Sequence, residues 1–276
     1  MDDGLRLMHV HAHPDDEASK GAASTAKYVD EGVRVRVVTC TGGERGEVLN
    51  PGLDVSPEDL AQLRREEMAR AAEILGVEHV WLGFTDSGFP SGDPPPPLPP
   101  GSFADLDLAE VTGPLVDQIL EFKPHVITTY DENGGYPHPD HIRTHEVTMA
   151  AVAEAARQWQ VQKVYYHQTF HKQKMIALHE AALARGLESP FAHWAVDIYD
   201  RPDDSDRITT RVPCAEFFDV RDAALKAHAT QIDPDGHWFA LPTEIAAEVW
   251  PTEDYELALS NVPYAGPEND LFAGLR

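Results

Sequence analysis

Residues 5–12 (LRLMHVHA) are apolar at alternate positions and partly β-branched, a pattern that predicts a strand. The segment 17–31 predicts a helix closed by Gly32, and 33–40 (VRVRVVTC) predicts a second strand. The polar, glycine-rich TGGERGE that follows is a loop. Ser56 then offers a helix cap and Pro57 suits the first helical position. Glu58 and Asp59 favour the positive end of the dipole, so a helix is expected to run to about Leu75 and stop at Gly76. Residues 78–83 read as a third strand, 107–122 as a helix, 125–130 (HVITTY) as a fourth strand and 140–157 as a helix. The proline-rich run 94–100 (PPPPLPP) can be neither helix nor central strand and is expected to be a stiff surface loop.

Strands thus alternate with helices, which predicts an α/β fold: a Rossmann-like, mainly parallel sheet flanked by helices. Beyond residue 157 the pattern gives a strand near 163–170, a helix near 172–185 and less regular material. The chain is read as one domain, 1–276, with a core at 1–157 and a C-terminal portion, 158–276, completing the fold and the substrate pocket. Parallel sheets of this kind bind ligands at the carboxyl ends of their strands, so the segments after each strand matter most.

Composition narrows the function. With 276 residues, 42% of them hydrophobic, there is ample material for a core, and a net charge of −25 disfavours nucleic acid and anionic membranes as partners. Two distant cysteines, Cys40 and Cys214, fit a reducing cytoplasm better than a disulfide framework. No run is apolar enough to span a membrane, and the first residues do not have the charge pattern of a signal peptide. No obligate protein partner is implied.

Of the 14 histidines, six fall in two short segments: His9, His11 and His13, then His138, His141 and His145. The first segment continues into Pro14, Asp15, Asp16 and Glu17 just past strand one. Adjacent carboxylates point in different directions, so one can bind a metal while the other faces an attacking water. The second segment, Asp131 to His145, follows strand four. His13, Asp16 and His141 together supply the His/carboxylate set that a catalytic zinc takes, with a position left open. His141 and His145, spaced i, i+4 on one helix face, form an alternative pair.

HAHPDDE and GGYPHPDHIRTH resemble the paired motifs of the LmbE-like (PIG-L) family of zinc deacetylases. Further stretches extend the resemblance over nearly the whole chain: TGGERGEVLNP, EILGVEHVWLGFTDSG, HATQID and WPTEDYELA. The resemblance implies one Zn2+ per chain on His13, Asp16 and His141, although two histidines and one carboxylate also suit Fe2+. It implies Asp15 as the general base toward water and His138 as the group that stabilises the oxyanion and helps protonate the leaving amine. Asp140 would orient a neighbouring histidine, and Tyr136 would sit near the reacting carbonyl. Lys20, Glu47, Arg64 and Asp86 would contact the substrate, a small-molecule glycoside bearing a thiol conjugate. The reaction implied is hydrolysis of its linear amide, with removal of acetate from the N-acetylglucosaminyl-inositol precursor as the alternative. Lys20 would meet the cysteinyl part. For Arg64, in the charged helix segment RREEMAR, surface pairing is the ordinary alternative.

Two other classes fare worse. A dinucleotide-binding oxidoreductase would carry GxGxxG after strand one, which is absent. A sugar-binding module without catalysis would not need Asp15 and His138.

Overall fold

The first strand, β1 (Arg6–His11), is buried along its whole length, and so is most of its neighbour β2 (Arg34–Thr41). Its alternation therefore does not mark a solvated face. Met8 and Val10 point into one apolar layer, Leu7 into another, and His9 and His11 share the face of Leu7. The computed structural model describes residues 4–192 and 197–276.

After β1 come two short helices, α1 (Asp16–Ser19) and α2 (Ala22–Asp30); β2 leads to α3 (Pro57–Leu75), then β3 (Glu78–Phe84), α4 (Leu108–Phe122), β4 (Val126–Thr129), α5 (Pro139–Ala155) and β5 (Lys163–His167). The remainder holds α6 (Lys172–Ala184), β6 (Thr210–Pro213), α7 (Phe218–Ala227), α8 (Thr243–Val249) and β7 (Thr252–Ser260). The seven strands order as β3-β2-β1-β4-β5-β7-β6. β1 pairs parallel with both β2 and β4, in register Arg6↔Arg34 and Leu7↔Val126. The chain thus leaves β1 in one direction across the sheet and returns on its other side at β4, which opens a crevice between the carboxyl ends of these two strands. Helices α4 and α5 cover one face through Val111, Leu115, Ile119, Val147 and Ala151. Truncating Leu115 or Ile119 to Ala costs about 2–5 kcal/mol. Helices α2, α3 and α7 cover the other face.

The helix signals of α3 act as their chemistry dictates. The Ser56 side chain accepts from the Asp59 N–H, Pro57 opens the helix, and Gly76 closes it at φ 69°. The segment expected as one helix over 17–31 is broken. Lys20 is extended and Gly21 is left-handed, at φ 88°. A Cβ on Gly21 would lie 2.8 Å from His167 Cε1 and 2.9 Å from the Tyr255 hydroxyl, so the chain passes there only as glycine. The C-terminal portion is more regular than expected. β7 inserts between β5 and β6 and runs antiparallel to both, with Lys163 opposite Ser260. Residues 94–100 form a loop that is mostly exposed. Among the described residues no helix is long and apolar enough to cross a membrane.

Candidate metal centre

His13 stands two residues past the end of β1, and Asp16 opens α1. His141 lies in the first turn of α5, across the crevice. The α5 helix is capped by His138, whose Nδ1 accepts the Asp140 N–H at 3.1 Å, and Pro139 opens it. The loop after β4 turns through Gly134, whose carbonyl accepts from His141 Nδ1 at 2.9 Å. That bond fixes the tautomer. The lone pair of His141 then sits on Nε2, which is buried, has no hydrogen-bond partner and lies 3.5 Å from Asp16 Oδ2.

His13 is held from its other side. Its Nε2 is 3.3 Å from Asp140 Oδ2, itself fixed by the Ser87 N–H at 2.9 Å, so its Nδ1 faces Asp16 Oδ2 at 3.5 Å. Asp16 is buried and receives the Tyr130 hydroxyl and the Lys20 ammonium, each at 2.6 Å. Burial opposes its ionisation, but the charge of Lys20 and the facing His141 and His13 hold it well below the usual carboxylate range. One donor atom from each of His13, Asp16 and His141 lies within 4.8 Å of the others, and an overlapping group joins His13, Asp86 and His138. An orphaned imidazole nitrogen beside an ionised carboxylate fits a metal of the two-His, one-carboxylate kind. His145 is outside these groups, and its Nδ1 donates to the Tyr130 carbonyl at 3.1 Å, so the i, i+4 pair is not assembled.

Asp15 occupies a left-handed backbone, φ 103°, which a non-glycine residue adopts only under constraint. Arg64 supplies that constraint. It is buried within α3 and donates to the carbonyls of Pro14 and Gly43, each at 2.7 Å, and to Asp15 Oδ2 at 3.0 Å. Gly43 has φ 64°, and a Cβ there would fall 2.3 Å from Arg64 Nη1. The Asp15 side chain keeps 24% exposure. Burial raises its proton affinity, opposed by the Arg64 charge. His138 is pushed down to about 3, first by burial and then by His13 and His141. It is therefore neutral, and because Nδ1 accepts from Asp140, its hydrogen sits on Nε2.

The remaining residues singled out in the sequence fall in different places. Asp86 joins the cluster, 3.6 Å from His13 Nε2, and is held ionised by that imidazole and by the Gly88 N–H against its burial. Tyr136 is 47% exposed and packs its ring 4.7 Å from that of His141. Lys20 is buried against Asp16 rather than presented to the crevice, and Arg64 is a buried clamp rather than a surface pair. Glu47 is exposed; its carbonyl, not its carboxylate, is engaged, by Gln231 at 3.0 Å.

Three residues near the site escaped the sequence reading of roles. Tyr130 braces Asp16. Glu17 accepts the Asp15 N–H at 3.0 Å and pairs with His228 Nε2 at 2.5 Å. Burial opposes charge on both members of that pair, yet each draws the other toward its ionised form. His228 opens the HATQID stretch, which was a usable signal, but its partner is 211 residues away.

The PIG-L family model, described as GlcNAc-PI de-N-acetylase, matches residues 8–152. A mycothiol S-conjugate amidase of Streptomyces coelicolor is 57% identical, with 100% of this chain and 99% of that protein covered. A 1D-myo-inositol 2-acetamido-2-deoxy-alpha-D-glucopyranoside deacetylase of Geodermatophilus obscurus is 40% identical over the same shares. Among solved structures, the N,N'-diacetylchitobiose deacetylase from Pyrococcus horikoshii matches with a TM-score of 0.59 at 20% identity, covering 93% of this chain and 84% of that one. The zinc inhibited form of teicoplanin deacetylase Orf2 gives 0.57 at 20% identity, covering 92% and 97%. At such identities the likeness speaks for the fold.

Proposed function

As the chain belongs to the PIG-L (LmbE-like) family, we propose that it hydrolyses the amide of mycothiol S-conjugates, releasing a mercapturic acid and glucosaminyl-inositol. The observation that carries this reading is the full-length likeness to the Streptomyces coelicolor amidase, higher than that to the deacetylases. The cluster at the crevice supports it chemically.

His13 through Nδ1, Asp16 through Oδ2 and His141 through Nε2 would hold Zn2+. When bound, zinc polarises an amide carbonyl and lowers the pKa of water to about 7. Asp15, partly exposed and with its proton affinity raised by burial, takes the proton of the attacking water on its carboxylate. Neutral His138 donates its Nε2–H to the carbonyl oxygen as negative charge develops there, and the exposed Tyr136 hydroxyl stands beside it as a second donor. As the C–N bond breaks, Asp15 returns its proton to the leaving amine, a transfer that His138 can share through its Nε2–H. Asp140 keeps His13 turned toward Asp16, and Arg64 keeps Asp15 in its left-handed position. Asp86, Glu47 and Lys20 remain as candidates for the sugar, inositol and cysteinyl contacts, with Lys20 free to serve only by leaving Asp16. Two buried free cysteines fit a reducing cytoplasm.

Purified zinc-loaded protein incubated with a bimane conjugate of mycothiol is expected to release the bimane mercapturate. Brisk release of acetate from N-acetylglucosaminyl-inositol without mercapturate would move the reading to the deacetylase. Metal analysis of protein purified without oxygen decides between zinc and ferrous iron.

A further inference from the structure

A second group of imidazoles lies behind the crevice. His9 and His11 project from the same face of β1, and His167 is the last residue of β5. The three rings stack, with centroids 6.0 Å apart for His9–His11, 6.0 Å for His9–His167 and 5.3 Å for His11–His167. All three are buried. Both nitrogens of His11 and Nε2 of His167 are without any hydrogen-bond partner. An unsatisfied buried polar atom is costly, so a fold that gathers three of them needs compensation. One nitrogen from each ring lies within 4.8 Å of the others.

We propose that His9, His11 and His167 form a second metal site, taking one divalent transition ion of the kind that prefers imidazole, such as Zn2+ or Co2+. Bonds of about 2.0–2.1 Å place tetrahedral donors about 3.3 Å apart, so the rings close by a modest rotation. His9 gives up one of its two threonine contacts, to Thr25 or to Thr128, in turning a lone pair to the ion. Burial already keeps His9, at about 3, and His167 in the neutral form that ligates. His167 also lines a cavity of 130 Å3, bounded further by Met175, Phe218, Trp238 and Tyr255, and its lining includes neither His13 nor Asp16 nor His141.

The test is a Co2+ titration of the metal-depleted full chain, read by visible d–d absorption, with bound Zn2+ counted by mass spectrometry under native conditions. Wild type is expected to bind two ions per chain, His167→Val one, and His13→Ala one. His9→Phe, also expected to bind one, replaces His167→Val if that variant does not fold. Saturation of wild type at one ion, or a second ion that neither His167→Val nor His9→Phe removes, overturns the proposal. The count is independent of the amidase assay, so failure of either reading leaves the other standing.

Discussion

The Tyr130 ring touches both histidine clusters, stacking on His141 with centroids 4.2 Å apart and meeting His11 edge-on at 5.8 Å. In front of it, His13, Asp16, His141, Asp86 and Asp140 mix imidazoles with carboxylates on segments that follow strands. Behind it, His9, His11 and His167 are imidazoles alone, set within strands. Loops past strand ends can adopt the left-handed turn of Asp15 and leave a base partly exposed. Strand positions fix a side chain by register and bury it. The front cluster therefore has a charged ligand, a base and an oxyanion donor, whereas the rear cluster can offer only neutral ligands. A buried histidine outside both clusters marks the ordinary arrangement: His171 Nε2 meets Asp254 Oδ2 at 2.8 Å, a carboxylate partner that His11 lacks.

His141→Ala should abolish turnover to background and remove the front ion while sparing the rear site, read by amide hydrolysis together with metal content. Equal loss from both sites would merge the two clusters into one. Asp15→Asn keeps the side-chain shape and tolerates the left-handed backbone, so kcat should fall roughly 10²–10⁴-fold with the metal retained. Turnover that survives this change takes the base role away from Asp15. Arg64→Lys keeps the charge but loses the fork that spans Pro14, Gly43 and Asp15. A drop of up to about 10²-fold in kcat at constant KM marks it as a positioning residue, and a rise in KM alone marks it as a substrate contact.

Asp140→Asn weakens the hold on His13, so affinity for the front ion, measured by competition with a chelator, should fall about 10–100-fold with the rear site unchanged. The smallest effect concerns Asp254. Burial opposes its ionisation, but the hydrogen bond from His171 and the charge of Lys174 bring its folded pKa below 3.8. Its contribution to stability is present above the unfolded value and lost as pH falls through the folded one. Thermal midpoints of Asp254→Asn should therefore fall less steeply than wild type as the pH drops below 3.8. An identical slope would show that the His171 pair contributes no acid sensitivity.

The front cluster was far more legible than the rear one because its information is local. A histidine, a proline and two acids after a strand, and a histidine-rich turn before a helix, announce themselves by type and spacing within a few residues. His9 and His11 were visible as histidines on one face of β1, but nothing near them pointed to His167. Their meeting depends on β5 lying beside β4 and β4 beside β1.

By itself the sequence determined the alternating strands and helices up to β5 and the caps of α3, and it put His13, Asp16 and His141 in the segments that follow β1 and β4. These follow from side-chain period, capping chemistry and motif spacing, which act over one or two turns. Tertiary structure alone decided the break at Gly21, imposed by His167 and Tyr255 from two other strands. It also decided the antiparallel insertion of β7, the burial of Lys20 on Asp16 and the clamp of Arg64 on Asp15. Long side chains such as Lys and Arg reach several ångströms in any direction, so their partner is set by which backbone arrives nearby. In a sheet whose neighbouring strands are far apart in sequence, only the assembled fold brings that backbone into place.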